Sequence, residues 1–157
     1  MIQRFQSLFL FLATVCLLVG LFMPIGTITT NEAQYVFTSW YLHENIPNGQ
    51  VIITTSYIGI LQIILALISF IAIFFYKKRT AQSKICIAGI IINFILLVLM
   101  LYIYPDRIFQ SISLLDKNEV VFNPWAITSI VSLAFLYLAN KFILNDERKV
   151  READRLR

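Results

Sequence analysis

The sequence predicts an all-α membrane protein: an antiparallel four-helix transmembrane bundle with a small extracytoplasmic β-hairpin between spans one and two and a cytoplasmic C-terminal helical extension. Four stretches without charged residues carry this prediction, at 5–31, 45–76, 85–105 and 120–140. About 20 apolar residues in a helix cross the hydrocarbon core of a bilayer, and every stretch reaches that length. The chain is also 59% hydrophobic and only 14% charged, whereas about a quarter of the residues in soluble domains are charged.

The distribution of basic residues predicts the orientation. Eleven of the thirteen Lys and Arg residues fall on one side when the N-terminus is cytoplasmic, and only Arg107 and Lys117 fall on the other. Cytoplasmic loops of membrane proteins carry an excess of Lys and Arg. We therefore expect a multi-pass protein with both termini in the cytoplasm. Membrane topology explains the excess of basic over acidic residues. We therefore expect the lipid bilayer as a partner and no binding of nucleic acid.

The four spans are expected at about 5–23, 55–76, 85–104 and 124–144, in a single domain that covers residues 1–157. Span one ends at Pro24 and Gly26, and we interpret it as an uncleaved span. Lys77, Lys78 and Arg79 anchor the cytoplasmic end of span two. Pro124 suits the first turn of span four, where its missing N–H leaves no hydrogen bond unmade.

The two extracytoplasmic loops are expected at 26–54 and 105–123. In the first, the run 35–42 is rich in aromatic and β-branched residues, and Pro47-Asn48-Gly49 precedes a second such run at 51–55. Two β-prone runs around a turn signal predict a hairpin. In the second loop, the run 119–122 could add one short strand to that hairpin.

Gln62 and Asn93 are the most polar side chains deep in the predicted spans, and both lie on stripes of small residues spaced three and four apart. Small residues allow close helix packing in lipid. One interpretation makes the two amides interhelical hydrogen-bond partners, and the other makes them the lining of a weakly polar groove. We favour packing, because proton and ion paths normally need ionisable residues inside the membrane.

The sequence offers no catalytic, cofactor-binding or metal-binding residues, so we expect neither an enzyme nor a bound cofactor. His43 has only Glu44 beside it and Glu32 as a further candidate, whereas a stable site needs about three to four ligands. Cys16 and Cys86 belong to different spans at different depths and do not form a Cys-x-x-Cys pair. We interpret both cysteines as packing residues.

The charged tail at 145–157 is predicted to extend span four as a solvated helix. Val150, Ala153 and Leu156 form an apolar line at i,i+3 spacing within it. Such a helix either rests on anionic lipid head groups, where basic residues gain about 1 kcal/mol each, or docks a partner. We expect docking contacts at a set of five residues. These are Arg151, Asp154, Arg155, Leu156 and Arg157.

Both ends of the chain, Met1-Ile-Gln-Arg4 and Ala153-Asp-Arg-Leu-Arg157, are similar to an uncharacterised domain-of-unknown-function family of small four-span inner-membrane proteins from Bacteroidota. The resemblance implies a bacterial inner membrane and transfers no catalytic residue. Our leading hypothesis is a non-enzymatic accessory protein that docks a cytoplasmic or membrane complex through its tail. The alternative is a small transporter or lipid-binding protein whose groove involves Gln62 and Asn93. The oligomeric state is left open.

Overall fold

The structure is a computed structural model that describes residues 3–29, 34–46, 51–106 and 119–155. Its four long helices are α1 (Gln3–Phe22), α2 (Ser56–Phe74), α3 (Arg79–Val98) and α4 (Ile127–Arg155). All four are long and apolar enough to cross a membrane. The candidate spans predicted from the sequence are therefore present.

The four helices pack side by side in a closed order. Helix α1 packs against α2 and α4, and α3 packs against the same two helices. The inward face of α4 repeats at alternating spacings of three and four residues, which keeps one side of a helix turned to its neighbours. Its buried members are Ser129, Ser132, Leu136, Ala139, Ile143 and Asp146. Large apolar side chains such as Phe11, Phe70 and Ile91 face outward.

Helix α3 changes its winding near the end of its apolar stretch. A π-helical turn covers Leu99–Ile103, after which the helix continues to Asp106. The wider turn shifts the inward face by one residue, so Tyr104 is 1% exposed while Ile103 is 41% exposed. A regular α-helix would have turned Ile103 inward after Leu96 and Met100. The π turn thus brings Tyr104 to the interior.

One end of the helices carries a five-stranded antiparallel sheet. Its strands are β1 (Gly26–Thr29), β2 (Gln34–Phe37), β3 (Tyr41–Glu44), β4 (Val51–Thr54) and β5 (Glu119–Phe122). They lie in the order β4-β3-β2-β1-β5. Strand β5 comes from the connection before α4 and pairs with β1, with Gly26 opposite Phe122. We call this sheet the cap.

The predicted fold class is therefore wrong in describing an all-α protein with a small β-hairpin. The run 35–42 does not form one strand, because the chain turns at Thr38, Ser39 and Trp40. The backbone N–H of Thr38 donates to the carbonyl of Tyr41 at 3.0 Å, and the Thr38 hydroxyl oxygen accepts the N–H of Tyr41 at 3.2 Å. A turn held by a threonine side chain lacks the Gly or Pro signal used for the prediction.

The remaining strands extend the cap beyond the predicted hairpin. Strands β3 and β4 pair on either side of the predicted turn, with Leu42 opposite Ile53, although residues 47–50 lie outside the described part. Strand β1 has only four residues, too few for a period-of-two pattern to show. Strand β5 was predicted as an addition to the hairpin, but it pairs with β1 at the far edge of the sheet.

Two clusters of buried side chains form the core. The first lies among the four helices, away from the cap, and includes Leu10, Leu65 and Leu136. The second joins the cap to the helix ends and includes Phe37, Leu42, Ile58, Leu96 and Tyr104. The rings of Phe37 and Tyr104 meet edge to face, with centroids 5.4 Å apart. The cap is therefore packed onto the helices and shares a hydrophobic core with them.

Candidate functional site

Gln62 holds the cap to the helices. The side chain is 2% exposed, and its Nε2 donates to the Leu17 carbonyl of α1 at 2.9 Å. Its Oε1 accepts the hydroxyl of Ser39 at 3.0 Å, and Ser39 lies in the turn between β2 and β3. Gln62 thus joins α1, α2 and the cap with both ends of its amide. We call this set of contacts the cap junction.

Two glycines allow the close approach at the cap junction. A Cβ on Gly20 would lie 2.6 Å from Nε2 of Gln62 and 2.8 Å from Oγ1 of Thr128. A Cβ on Gly59 would lie 2.9 to 3.0 Å from three atoms of the Trp40 ring. Real Cβ atoms do not approach other heavy atoms this closely. The small residues noted in the sequence therefore make room for the cap as well as for helix packing.

Backbone groups complete the cap junction at the start of α2. The N–H of Gly59 donates to the Ser39 carbonyl at 3.0 Å, and the N–H of Thr55 donates to the Trp40 carbonyl at 2.8 Å. The first N–H groups of a helix have no partner within the helix. The turn between β2 and β3 thus accepts the N–H of Thr55, just before α2, and one N–H of the first turns of the helix. In addition, the hydroxyl of Tyr104 donates to Oγ1 of Thr55 at 3.0 Å.

Asn93 lies in a different interface, between α3 and α4. It is fully buried, and its Nδ2 donates to the hydroxyl oxygen of Ser132 at 2.8 Å and to the Ser129 carbonyl at 3.4 Å. The Ser132 hydroxyl donates in turn to the same Ser129 carbonyl at 2.8 Å. The Oδ1 of Asn93 is buried without a hydrogen-bond partner. Half of this amide is therefore unsatisfied.

The structure does not bring Gln62 and Asn93 into one hydrogen-bonded group. Gln62 bonds to α1 and the cap, whereas Asn93 bonds to α4. Deeper in the interior, the position of Gly89 faces the ends of Leu65 and Leu136, since an added Cβ would lie 3.8 Å from both. Apolar side chains therefore fill the interior on the side of Asn93 that points away from the cap.

A second polar group lies at the end of the helices opposite the cap, at residues that are not among the predicted site residues. Nε2 of Gln6 in α1 donates to Oδ2 of Asp146 at 2.9 Å and to the Phe142 carbonyl at 3.2 Å. Nη1 of Arg79 in α3 donates to the Asp146 carbonyl at 3.2 Å. Asp146 is 7% exposed. We call these contacts the tail junction.

The sequence did contain a signal for Asp146. Its position continues the inward stripe of α4 after Ala139 and Ile143 at spacings of four and three residues. Grouping Asp146 with the charged tail by its charge hid that periodicity. Asp146 therefore belongs to the packed part of α4.

Two further polar contacts lie near the tail junction. Ser83 donates to Oδ1 of Asn140 at 2.8 Å, and Nε2 of Gln82 donates to the Ala72 carbonyl at 3.0 Å. Gln82 is fully buried, and its Oε1 has no partner. These contacts join α3 to both of its neighbours. The end of the helices opposite the cap is therefore held by side-chain hydrogen bonds, as the cap end is.

The predicted docking residues lie at the end of α4. The helix includes Arg151, Asp154 and Arg155 in its last turns, and their side chains lie outside the described part of the structure, as do residues Leu156 and Arg157 altogether. Among the described side chains before them, Arg148, Lys149 and Val150 are exposed. The backbone of the predicted tail is thus a direct continuation of α4.

The cap contains the single histidine of the chain. The ring of His43 packs against the ring of Tyr41, with centroids 5.3 Å apart, and its Nδ1 is buried without a partner. Over residues 3–29, 34–46, 51–106 and 119–155, no group of three or more His, Cys, Asp or Glu residues could hold a metal ion. The chemistry visible in the described residues is hydrogen bonding between elements.

Comparison with known proteins relates the whole chain to one family. No match is found among curated proteins. One family model, described as "Domain of unknown function (DUF4293)", matches residues 2–156. A match over nearly the whole chain includes both junctions and the cap, and the resemblance noted at the two ends of the sequence is to a family of this kind. The chain belongs to the DUF4293 family.

Proposed function

We propose that this protein is a non-enzymatic accessory protein of the bacterial inner membrane that docks a partner complex through the C-terminal end of α4. In this proposal the chain is of Bacteroidota origin, its four helices cross the membrane, both termini are cytoplasmic, and the cap lies outside. The eleven basic residues on the tail side support that orientation through the positive-inside rule. The tail is then the part of the molecule that is presented to cytoplasmic partners.

The observation that carries the proposal is that α4 extends beyond the other helices from a fixed base. The tail junction fixes Asp146 to α1 and α3, and the helix then continues to Arg155 without a break. Nine further residues at about 1.5 Å each project the helix about 13 Å beyond Asp146. A helix fixed at its base presents its side chains in a defined direction, which reduces the entropy lost on binding.

The composition of this projecting segment favours a protein partner over lipid alone. The three acidic residues Glu147, Glu152 and Asp154 are interspersed with basic ones, and a segment that served only anionic lipid would gain nothing from them. Val150 is exposed and begins the i,i+3 apolar line with Ala153 and Leu156. Charged contacts set around such a line are typical of helix docking.

The test compares proteins that co-purify with three forms of the chain from native membranes. Truncation after Arg148 removes the proposed docking residues and keeps Asp146 in the tail junction. The double variant Arg151→Glu with Arg155→Glu changes the charge without shortening the helix. We expect both forms to lose the same co-purifying complex.

The matched control is the double variant Lys78→Glu with Lys84→Glu. It makes an equal change of charge on the same side of the membrane at two exposed positions, and we expect it to retain the complex. An unchanged set of co-purifying proteins after truncation would leave the tail with a lipid-anchoring role and end the docking proposal.

A second candidate function is a small transporter or a lipid-binding protein that uses the interface at Asn93. The observation that favours it is the buried Oδ1 of Asn93, which has no partner. Gln62 takes no part in this candidate site, because both ends of its amide are engaged. This function predicts that Asn93→Leu removes the activity of the protein in the cell, whereas truncation of the tail leaves that activity intact. The docking proposal predicts the reverse.

A further inference from the structure

The hydrogen bonds around Asn93 determine which way its amide points. The Ser132 hydroxyl gives its proton to the Ser129 carbonyl at 2.8 Å, so its oxygen accepts from Asn93 at 2.8 Å. The Ser129 carbonyl lies 3.4 Å from the same amide nitrogen. A flipped amide would place two acceptor oxygens against each other. Oδ1 of Asn93 is therefore the acceptor that is buried without a partner.

An unpaired buried acceptor is costly in this position. A buried acceptor without a donor loses its hydration and gains no hydrogen bond in return, and the hydrocarbon that surrounds a membrane helix supplies no donor. Most buried polar groups in proteins find a partner, which is often an internal water. The Oδ1 of Asn93 thus points to a donor that the described part of the chain does not provide.

Ser129, on the α4 side of the same interface, has a hydroxyl donor without a strong acceptor. It is 2% exposed, and within the described residues its hydroxyl donates to Sδ of Met100, at 3.9 Å. A thioether is a weak acceptor. Met100 belongs to the π-helical turn Leu99–Ile103, and turns of this kind occur often at functional sites. One interface therefore contains an acceptor without a donor and a donor with a weak acceptor.

We propose that the interface between α3 and α4 at Asn93 binds one small neutral hydroxyl group, supplied by an internal water or by a lipid alcohol. The hydroxyl donates to Oδ1 of Asn93 and has an oxygen that can accept from Ser129. The ligand is neutral because Asn93, Ser129, Ser132 and Met100 carry no charge. The site is independent of the tail and of any docking partner.

The test is solid-state NMR of the labelled full-length chain in lipid vesicles, with magnetisation transferred to side-chain carbons from the protons of water and of lipid hydroxyl groups and not from the hydroxyl protons of the protein. We expect transfer to Cγ of Asn93 and none to Cδ of Gln62, whose oxygen already accepts from Ser39. Phosphatidylcholine has no hydroxyl on its head group, so transfer in pure phosphatidylcholine vesicles identifies water. Transfer only in phosphatidylglycerol vesicles identifies the lipid hydroxyl.

The absence of transfer to Asn93 in both lipids would overturn the proposal. In Asn93→Leu, the transfer to the Cβ atoms of Ser129 and Ser132 should be lost while the signals of Gln62 stay unchanged. Persistence of transfer to those serines in a folded Asn93→Leu protein would also count against the site. If that variant does not fold, the comparison of Asn93 with Gln62 in the wild-type protein decides the question alone.

Discussion

Gln62 and Asn93 are the same kind of side chain, equally buried, yet they hold opposite positions in the hydrogen-bond network. Both ends of the Gln62 amide are bonded, one to α1 and the other to the cap. Asn93 is bonded through its nitrogen alone and leaves its oxygen unpaired. A buried amide with both ends bonded stabilises the fold, whereas one with an open acceptor can bind something else.

The difference follows from what each residue faces. Gln62 lies near the cap end of α2, where the chain turns back across the helices and presents Ser39. Asn93 lies on the inward face of α3, opposite a regular stretch of α4 whose backbone carbonyls and N–H groups are largely used within the helix. A turn can supply hydrogen-bond donors and acceptors from both its backbone and its side chains. A helix face supplies mainly the polar groups of its side chains, because its backbone groups are already paired. The four predictions below test this contrast.

The largest effect is expected for Gly20→Val. The new Cβ would lie 2.6 Å from Nε2 of Gln62 and 2.8 Å from Oγ1 of Thr128. The Gln62 side chain must therefore move, and its hydrogen bonds to Leu17 and Ser39 are lost. Overpacking of about 1–3 kcal/mol and the lost bonds together predict about 3 kcal/mol of destabilisation. The measurement is reversible unfolding in mixed micelles as the fraction of denaturing detergent rises.

Gly89→Ala is the matched control for that experiment. A Cβ at Gly89 makes only ordinary contacts at 3.8 Å with Leu65 and Leu136, and alanine is favoured over glycine inside a helix by about 1 kcal/mol. We expect unchanged or slightly higher stability. Equal losses in the two variants would show that Gly20 matters as a helix residue and not for its contact with Gln62.

A smaller loss is expected for Gln62→Leu, which keeps the volume but removes two hydrogen bonds. Side-chain hydrogen bonds between membrane helices average about 0.6 kcal/mol and reach about 1.7, so we predict about 1–3 kcal/mol. Combining the variant with Ser39→Ala should cost less than the sum of the two single changes, because they remove one shared bond. Additive losses would mean that Gln62 and Ser39 stabilise the protein independently.

Tyr104→Phe should have a smaller effect again. It removes the hydroxyl that donates to Thr55 at 3.0 Å and keeps the ring contact with Phe37, so we predict about 1 kcal/mol. Hydrogen exchange at the backbone N–H groups of β1 and β2 should quicken, because the cap is held less firmly. Faster exchange confined to α4, with the cap unchanged, would place the role of Tyr104 elsewhere.

The sequence predicts the parts of this fold that depend on long patterns. Charge-free stretches of about 20 residues, the length that a membrane span needs, predict the four helices that are candidate spans in the structure. The strands are four residues long, and their pairing depends on residues far apart in the chain. One of the two partners of β1 is β5, about 90 positions later, and no local pattern contains that information.

The candidate sites divide in the same way. The positions of Gln62 and Asn93 on inward stripes are visible in the sequence, since periodicity alone gives the face of a helix. Which of the two is fully bonded depends on where Ser39 and Ser132 lie in space, and that is a property of the folded chain. Asp146 carries two conflicting signals, because its spacing predicts an inward position while its charge predicts a solvated one, and the structure buries it.

The smallest effect is expected for Asn93→Leu, and it separates the two amides most sharply. Leucine removes Oδ1 together with any hydroxyl bound to it and leaves the Ser132 hydroxyl bonded to the Ser129 carbonyl, so no polar group of the protein is newly stranded. Replacing polar groups by apolar ones of similar shape can be nearly neutral, and we predict a change within about 1 kcal/mol of zero. The same micelle unfolding as for Gln62→Leu gives the comparison directly. A loss as large as that of Gln62→Leu would mean that Asn93 stabilises the fold as Gln62 does, with its oxygen paired in the native protein by a group that is tightly held.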